Sequence, residues 1–85
     1  MEDTDRYDIY NIIGKNIKKY RCEKGYTQRS LADALLLSEN FIAKLESSTY
    51  QTISIDTLKT IADFLHVDIK NFFDNTVMNQ KTNQN

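Results

Sequence analysis

The sequence predicts an all-α domain of five short helices. Three observations carry this. Apolar residues recur at spacings of three and four along most of the chain. Four of the five runs follow a serine, threonine or aspartate that can cap a helix. Proline is absent throughout, which suits an all-helical chain. The 85 residues fit one domain with a single modest core.

The first helix is expected over about residues 8–23, where Ile9, Ile13, Ile17 and Tyr20 form one apolar stripe. Lys24 and Gly25 end it, a cation in the last turn followed by glycine. Thr27 is placed to cap a second helix over residues 28–35, its hydroxyl accepting from first-turn amides. Leu31, Ala32 and Leu35 give that helix its buried side. Leu36 and Leu37 form a short connection, and Ser38 caps a third helix over residues 39–46. There Ile42 and Leu45 face inward, while Glu39, Asn40, Ala43 and Lys44 lie on other faces.

Residues 47–52 read as a polar loop. Ser54 caps a fourth helix over residues 55–65, with core positions Leu58, Ile61, Ala62 and Leu65. Asp68 opens a short fifth helix carrying Ile69, Phe72 and Phe73. Tyr20, Tyr26, Phe64, Phe72 and Phe73 sit at helical spacing and read as core rather than as stacking platforms. The expected organisation is an acidic extension at 1–8, a folded domain at 9–74 and a flexible polar tail at 75–85.

Composition narrows the function. No apolar run approaches the ~18 residues that cross a bilayer, and residues 1–8 lack the basic and apolar stretches of a secretory signal. A cytoplasmic location without membrane association is expected. Cys22 is the only cysteine and His66 the only histidine, so the chain has neither a disulfide nor the ligands for a four-coordinate zinc site. No nucleophile–base set or glycine-rich phosphate loop is visible, so neither an enzyme nor a bound metal or cofactor is expected. The net charge of −1 argues against a phosphate-binding surface, but the charges are segregated. Residues 1–8 carry four acids against Arg6. Residues 15–24 carry Lys15, Lys18, Lys19, Arg21 and Lys24 against Glu23 alone.

Two short helices joined by a tight turn, the second one capped, define a helix-turn-helix unit, here residues 27–46. Gly25-Tyr26-Thr27-Gln28, Leu31-Ala32, Ser38, Ile42 and Leu45-Glu46 resemble the phage-repressor-like (Cro/Xre-type) helix-turn-helix family. The resemblance continues through Ile55-Asp56-Thr57-Leu58, Ile61-Ala62, Leu65, Val67 and Phe72-Phe73. It reaches back through Ile13-Gly14, Ile17 and Tyr20-Arg21, and so covers about residues 13–73.

The resemblance implies a five-helix, lambda-repressor-like fold and a transcriptional regulator that binds double-stranded DNA, usually as a homodimer. On that basis Thr27, Gln28 and Arg29 at the start of the second helix are candidate DNA contacts, and so are Ser38, Glu39, Asn40, Ala43 and Lys44 on the third. Ser47 and Thr49 in the following loop match the stretch that reaches phosphates. Asn40 can pair with adenine, Lys44 with guanine, and Glu39 either accepts from cytosine or merely favours its helix terminus. Phe41 either meets a thymine methyl or packs inward. The resemblance makes Arg21 and Glu46 a structural ion pair. It also points to a dimer interface around Phe72, Phe73, Val77 and Met78.

Two departures stand out. Leu36 and His66 occupy positions where the family often has glycine, so both are expected to have positive φ at some energetic cost. The loop from Ser47 through Gln51 is neutral where the family is often basic, which implies few released counterions. The alternative function is a protein-interaction module of the same fold, an adaptor or an antitoxin component, with a protein partner in place of DNA.

Overall fold

The computed structural model describes residues 8–47 and 51–77. Four α-helices and a closing 3-10 helix follow one another: α1 (Ile9–Glu23), α2 (Gln28–Leu35), α3 (Glu39–Glu46), α4 (Ile55–Leu65) and the 3-10 helix Ile69–Phe73. No strand occurs among the described residues.

Each helix starts where a side chain can accept a first-turn amide. Asp8 accepts from the Tyr10 amide, Ser38 from Phe41, Ser54 from Thr57 and Asp68 from Lys70. Thr27 and Ser30 cap reciprocally, each hydroxyl accepting from the other residue's amide at 2.9 Å.

The ends of α1, α2 and α4 share one solution. In each, paired backbone bonds close the last turn around a residue in the left-handed region. The amides of Tyr26, Leu37 and Val67 donate to the carbonyls of Arg21, Ala32 and Ala62. The left-handed residues are Gly25 (φ 84°), Leu36 (φ 59°) and His66 (φ 60°). Only the first is glycine, so Leu36 and His66 each carry a steric cost of about 1–2 kcal/mol.

The core gathers Ile13 and Ile17 from α1, Leu31 and Ala32 from α2, and Ile42 and Leu45 from α3. Leu58, Ile61, Ala62 and Leu65 come from α4, with Ile53 from the preceding link and Phe72 from the 3-10 helix. Phe41 packs against this core while remaining partly exposed.

The buried face of α1 differs from the expected stripe. Ile9 is exposed, whereas Ile12 and Asn16 are buried. The reason is that α1 packs chiefly against two elements, α3 and the 3-10 helix, which widens and rotates its covered arc. Gly14 makes the approach to α3 possible: a Cβ built there would lie 1.7 Å from the Leu45 carbonyl oxygen. The two backbones therefore meet where any larger residue would separate them.

The fifth helix is a 3-10 helix rather than an α-helix. Its Asn71 amide donates to Asp68 three residues back. Its end is held onto α1 by the buried Asn16, whose Nδ2 donates to the carbonyls of Phe72 (2.9 Å) and of Asp74 just beyond the helix (3.0 Å), and also to Ile12 within α1 (3.0 Å). Phe72 lies fully buried with its ring edge against Tyr20, centroids 5.7 Å apart. Phe72, expected near a dimer interface, here has its whole side chain closing the core of the single chain. Phe73, expected among the core aromatics, is instead 39% exposed. A tight helix with three residues per turn sends neighbouring side chains 120° apart, so only one of the two phenylalanines can face α1.

Beyond Asp74 the chain makes a further 3-10 turn over 75–77. Asp74 accepts from the Thr76 amide and hydroxyl, which hold its carboxyl below the ordinary value. Met78 and Thr49, both named above as candidate site residues, lie outside the described residues.

Candidate nucleic-acid interface

The position of α3 is set by its ends and by one buried ion pair. Ile42 and Leu45 anchor its inner side, and Glu46 at its last position is 5% exposed. Glu46 receives a two-pronged contact from Arg21 on α1, Nε to Oε2 at 2.7 Å and Nη2 to Oε1 at 2.8 Å. The remaining guanidinium arm, Nη1, donates to the Tyr26 carbonyl at 2.7 Å in the α1–α2 link. Gln28, first residue of α2, donates through Nε2 to Glu46 Oε1 at 3.0 Å. One carboxylate thus ties together the end of α1, its link to α2, the start of α2 and the end of α3. The hydrogen bonds that Arg21 donates to Glu46 raise the guanidinium pKa against the opposing effect of burial. A charge pair this dry is worth its desolvation only with such full hydrogen bonding.

The outer face is built from what this framework leaves exposed. Glu39, Asn40 and Lys44 point to solvent, and Ala43 beside them is half-buried. Among the described residues the side chains of Glu39, Asn40 and Lys44 make no hydrogen bond or ion pair with another side chain. Arg29 on α2 is exposed, and its contact with Asp33 is long, 3.9 Å between two solvated side chains. Such a pair contributes little and gives way readily to a stronger anion. The first-turn amides of α2 and α3 that Thr27 and Ser38 leave uncapped, those of Gln28, Arg29, Glu39 and Asn40, open at the same helix ends as the side chains of Arg29, Glu39 and Asn40.

Several of the sequence-derived site residues have their polar atoms committed within the fold. The hydroxyls of Thr27 and Ser38 are caps. Ser47 ends α3, its hydroxyl donating to the Lys44 carbonyl. Gln28 shares its carboxamide with Glu46, so it links the surface of α2 to the buried pair rather than standing in solvent.

Two structural residues escaped the sequence reading. Asn16 carried a signal, a polar residue one turn from Ile12 and Ile13 on the covered arc. Gly14 carried another, a glycine in mid-helix that costs about 1 kcal/mol in propensity and so implies a close contact. Among the described residues no cluster of three potential metal ligands occurs. None of their helices is long and apolar enough to cross a membrane.

Comparison with known proteins agrees with this architecture. A family model described as helix-turn-helix matches residues 17–72. The HTH-type transcriptional regulator SlrR of Bacillus subtilis (strain 168) is 32% identical over 71 residues, covering 82% of this chain and 47% of the relative. The HTH-type transcriptional regulator SinR of Bacillus licheniformis is 30% identical over 70 residues, covering 82% and 59%. SinR of Bacillus subtilis (strain 168) is 30% identical over 63 residues, covering 74% and 57%. The chain spans about half the length of these curated relatives. With the capped α2–α3 unit, the buried Arg21–Glu46 pair and the matched model taken together, the chain belongs to the Cro/Xre-type helix-turn-helix family.

Proposed function

We propose that this protein is a cytoplasmic, non-enzymatic transcriptional regulator of repressor type that binds specific double-stranded DNA. In this reading α3 enters the major groove. Asn40 and Lys44 read base edges, Ala43 sits against them, and Arg29, Ser47 and Thr49 approach phosphates. The free amides beside Thr27 and Ser38 add phosphate donors. Gln28 adds a phosphate contact from a carboxamide that Glu46 already orients. The single observation that carries the proposal is the state of the α3 outer face: polar side chains without partners, presented by a helix whose inner face and end are locked. The relatives, all HTH-type transcriptional regulators, support the same reading.

One helix-turn-helix unit reads only a few base pairs, so the functional form is proposed to be a twofold dimer with half-sites ~34 Å apart. The exposed Phe73 and the half-buried Val77 remain the candidates for its interface.

A second reading has an observation of its own. The exposed charges of α2 and α3 balance, Arg29 and Lys44 against Asp33 and Glu39, which suits a protein partner better than a bare phosphate track. Selection of genomic fragments with the purified protein, followed by footprinting, separates the two. DNA binding yields an enriched sequence with a protected α3-sized tract. No enrichment even at low salt would leave the protein-partner reading in its place.

A further inference from the structure

We infer that Glu39 is a specificity-determining residue that selects cytosine at one position of each half-site. The inference rests on the DNA-reading function proposed above and gives it a chemical signature.

Glu39 is the first residue of α3 and is exposed. It is not needed as a cap, because Ser38 already accepts the Phe41 amide at 3.0 Å. No cation stands one turn further along its own helix: three and four residues on are the buried Ile42 and the half-buried Ala43, and Lys44, five residues on, makes no ion pair with it. Across the surface, the ion pairs of the described residues are Arg21–Glu46, Arg29–Asp33 and Lys59–Asp63, and none of them includes Glu39. The helix therefore leads into the groove with an unpaired carboxylate.

A carboxylate accepts hydrogen bonds and donates none. Among phosphates and acceptor-rich base edges it is repelled almost everywhere. In the major groove only the exocyclic amino groups of cytosine and adenine donate. Adenine places its amino group beside the N7 acceptor, a pair that matches an amide such as Asn40 and opposes a second carboxylate oxygen. Cytosine presents its N4 amino group without an adjoining acceptor on its own edge. Guanine shows two acceptors, and thymine an acceptor with a methyl group. Cytosine is the one base whose edge is complementary to Glu39.

The test is selection from a random duplex pool with the purified full chain, wild type and Glu39→Gln, both checked by thermal melting. The wild-type motif is expected to hold cytosine at one position per half-site. Replacing that base pair by thymine·adenine weakens wild-type binding roughly 5- to 150-fold. Glu39→Gln loses the preference at that position, shifting it toward adenine, and keeps the rest of the motif. An identical motif for both proteins overturns the assignment. So does a uniform gain in affinity of the variant for every duplex, which would make the carboxylate a mere repeller of phosphate. The thymine substitution, read on wild type alone, decides the matter if the variant fails to fold. A wild-type protein that enriches no sequence overturns the DNA-reading function itself, a result separate from an enriched motif without the cytosine.

Discussion

Replacing Gly14 by alanine sets two effects of opposite sign against each other. In mid-helix, alanine is favoured over glycine by about 1 kcal/mol, so propensity alone predicts a more stable protein. The added Cβ would lie 1.7 Å from the Leu45 carbonyl oxygen and 2.7 Å from its carbonyl carbon. Both are backbone atoms of α3 and cannot swing aside as a side-chain end would. Restoring ordinary contact requires α1 and α3 to part by about 1.5–2 Å, which forfeits dispersion contacts along the seam. That seam carries Ile13, Ile17, Ile42 and Leu45, all buried. Overpacking typically costs about 1–3 kcal/mol, and a backbone clash belongs at or above the top of that range. After subtracting the propensity gain, Gly14→Ala is expected to destabilise by about 2–3 kcal/mol. For a chain of this size that lowers the melting temperature by roughly 10–20 °C. Circular dichroism melts and urea titrations of the two proteins measure it. A variant as stable as wild type, or more so, would refute the close crossing of α1 and α3.

Four further outcomes are expected. Glu46→Ala or Arg21→Ala strands a buried charge and destabilises by ~3–5 kcal/mol, while Arg21→Met with Glu46→Leu recovers much of the loss in urea titrations. Leu36→Gly and His66→Gly each relieve a left-handed residue and raise stability by about 0.5–1 kcal/mol, net of the flexibility glycine adds to the unfolded chain, read as a shift in the urea midpoint. Asn40→Ala and Lys44→Ala leave the melting temperature within about 2 °C of wild type, since both are exposed. Each lowers discrimination between specific and random duplex by ~1–3 kcal/mol in competition binding; equal losses on both duplexes would show that they do not read bases. Sedimentation equilibrium at tens of micromolar is expected to find a dimer that Phe73→Ser weakens; a dimer indifferent to that change would move the interface elsewhere.

The local architecture was legible in the sequence because its causes act within a few residues. Thr27, Ser38, Ser54 and Asp68 cap helices through bonds spanning two or three positions, so each start shows in a short window. The ends at Gly25, Leu36 and His66 are equally local, closed by carbonyls no more than five residues back. Part of the candidate reading face followed from helical geometry: once Ile42 and Leu45 turn inward, Asn40 and Lys44 must turn outward, while Glu39, one turn before Ile42, is exposed at the start of the helix.

What the tertiary structure decided depends on partners far along the chain. Periodicity placed Ile9 on the covered side of α1, but the second neighbour, the 3-10 helix, rotated that face toward Ile12 and Asn16. Asn16 acquires its role from carbonyls 56 and 58 residues away, and no local pattern specifies them. The same clamp settled which of two adjacent phenylalanines fills the core, burying Phe72 and leaving Phe73 outside. Gln28 stood as a surface residue until α3 brought Glu46 within 3.0 Å of it. Short-range hydrogen bonding and helical period are properties of a segment. The direction a helix faces, and the partner a buried polar atom finds, are properties of the packed whole, because each is set by whichever element comes to rest against it.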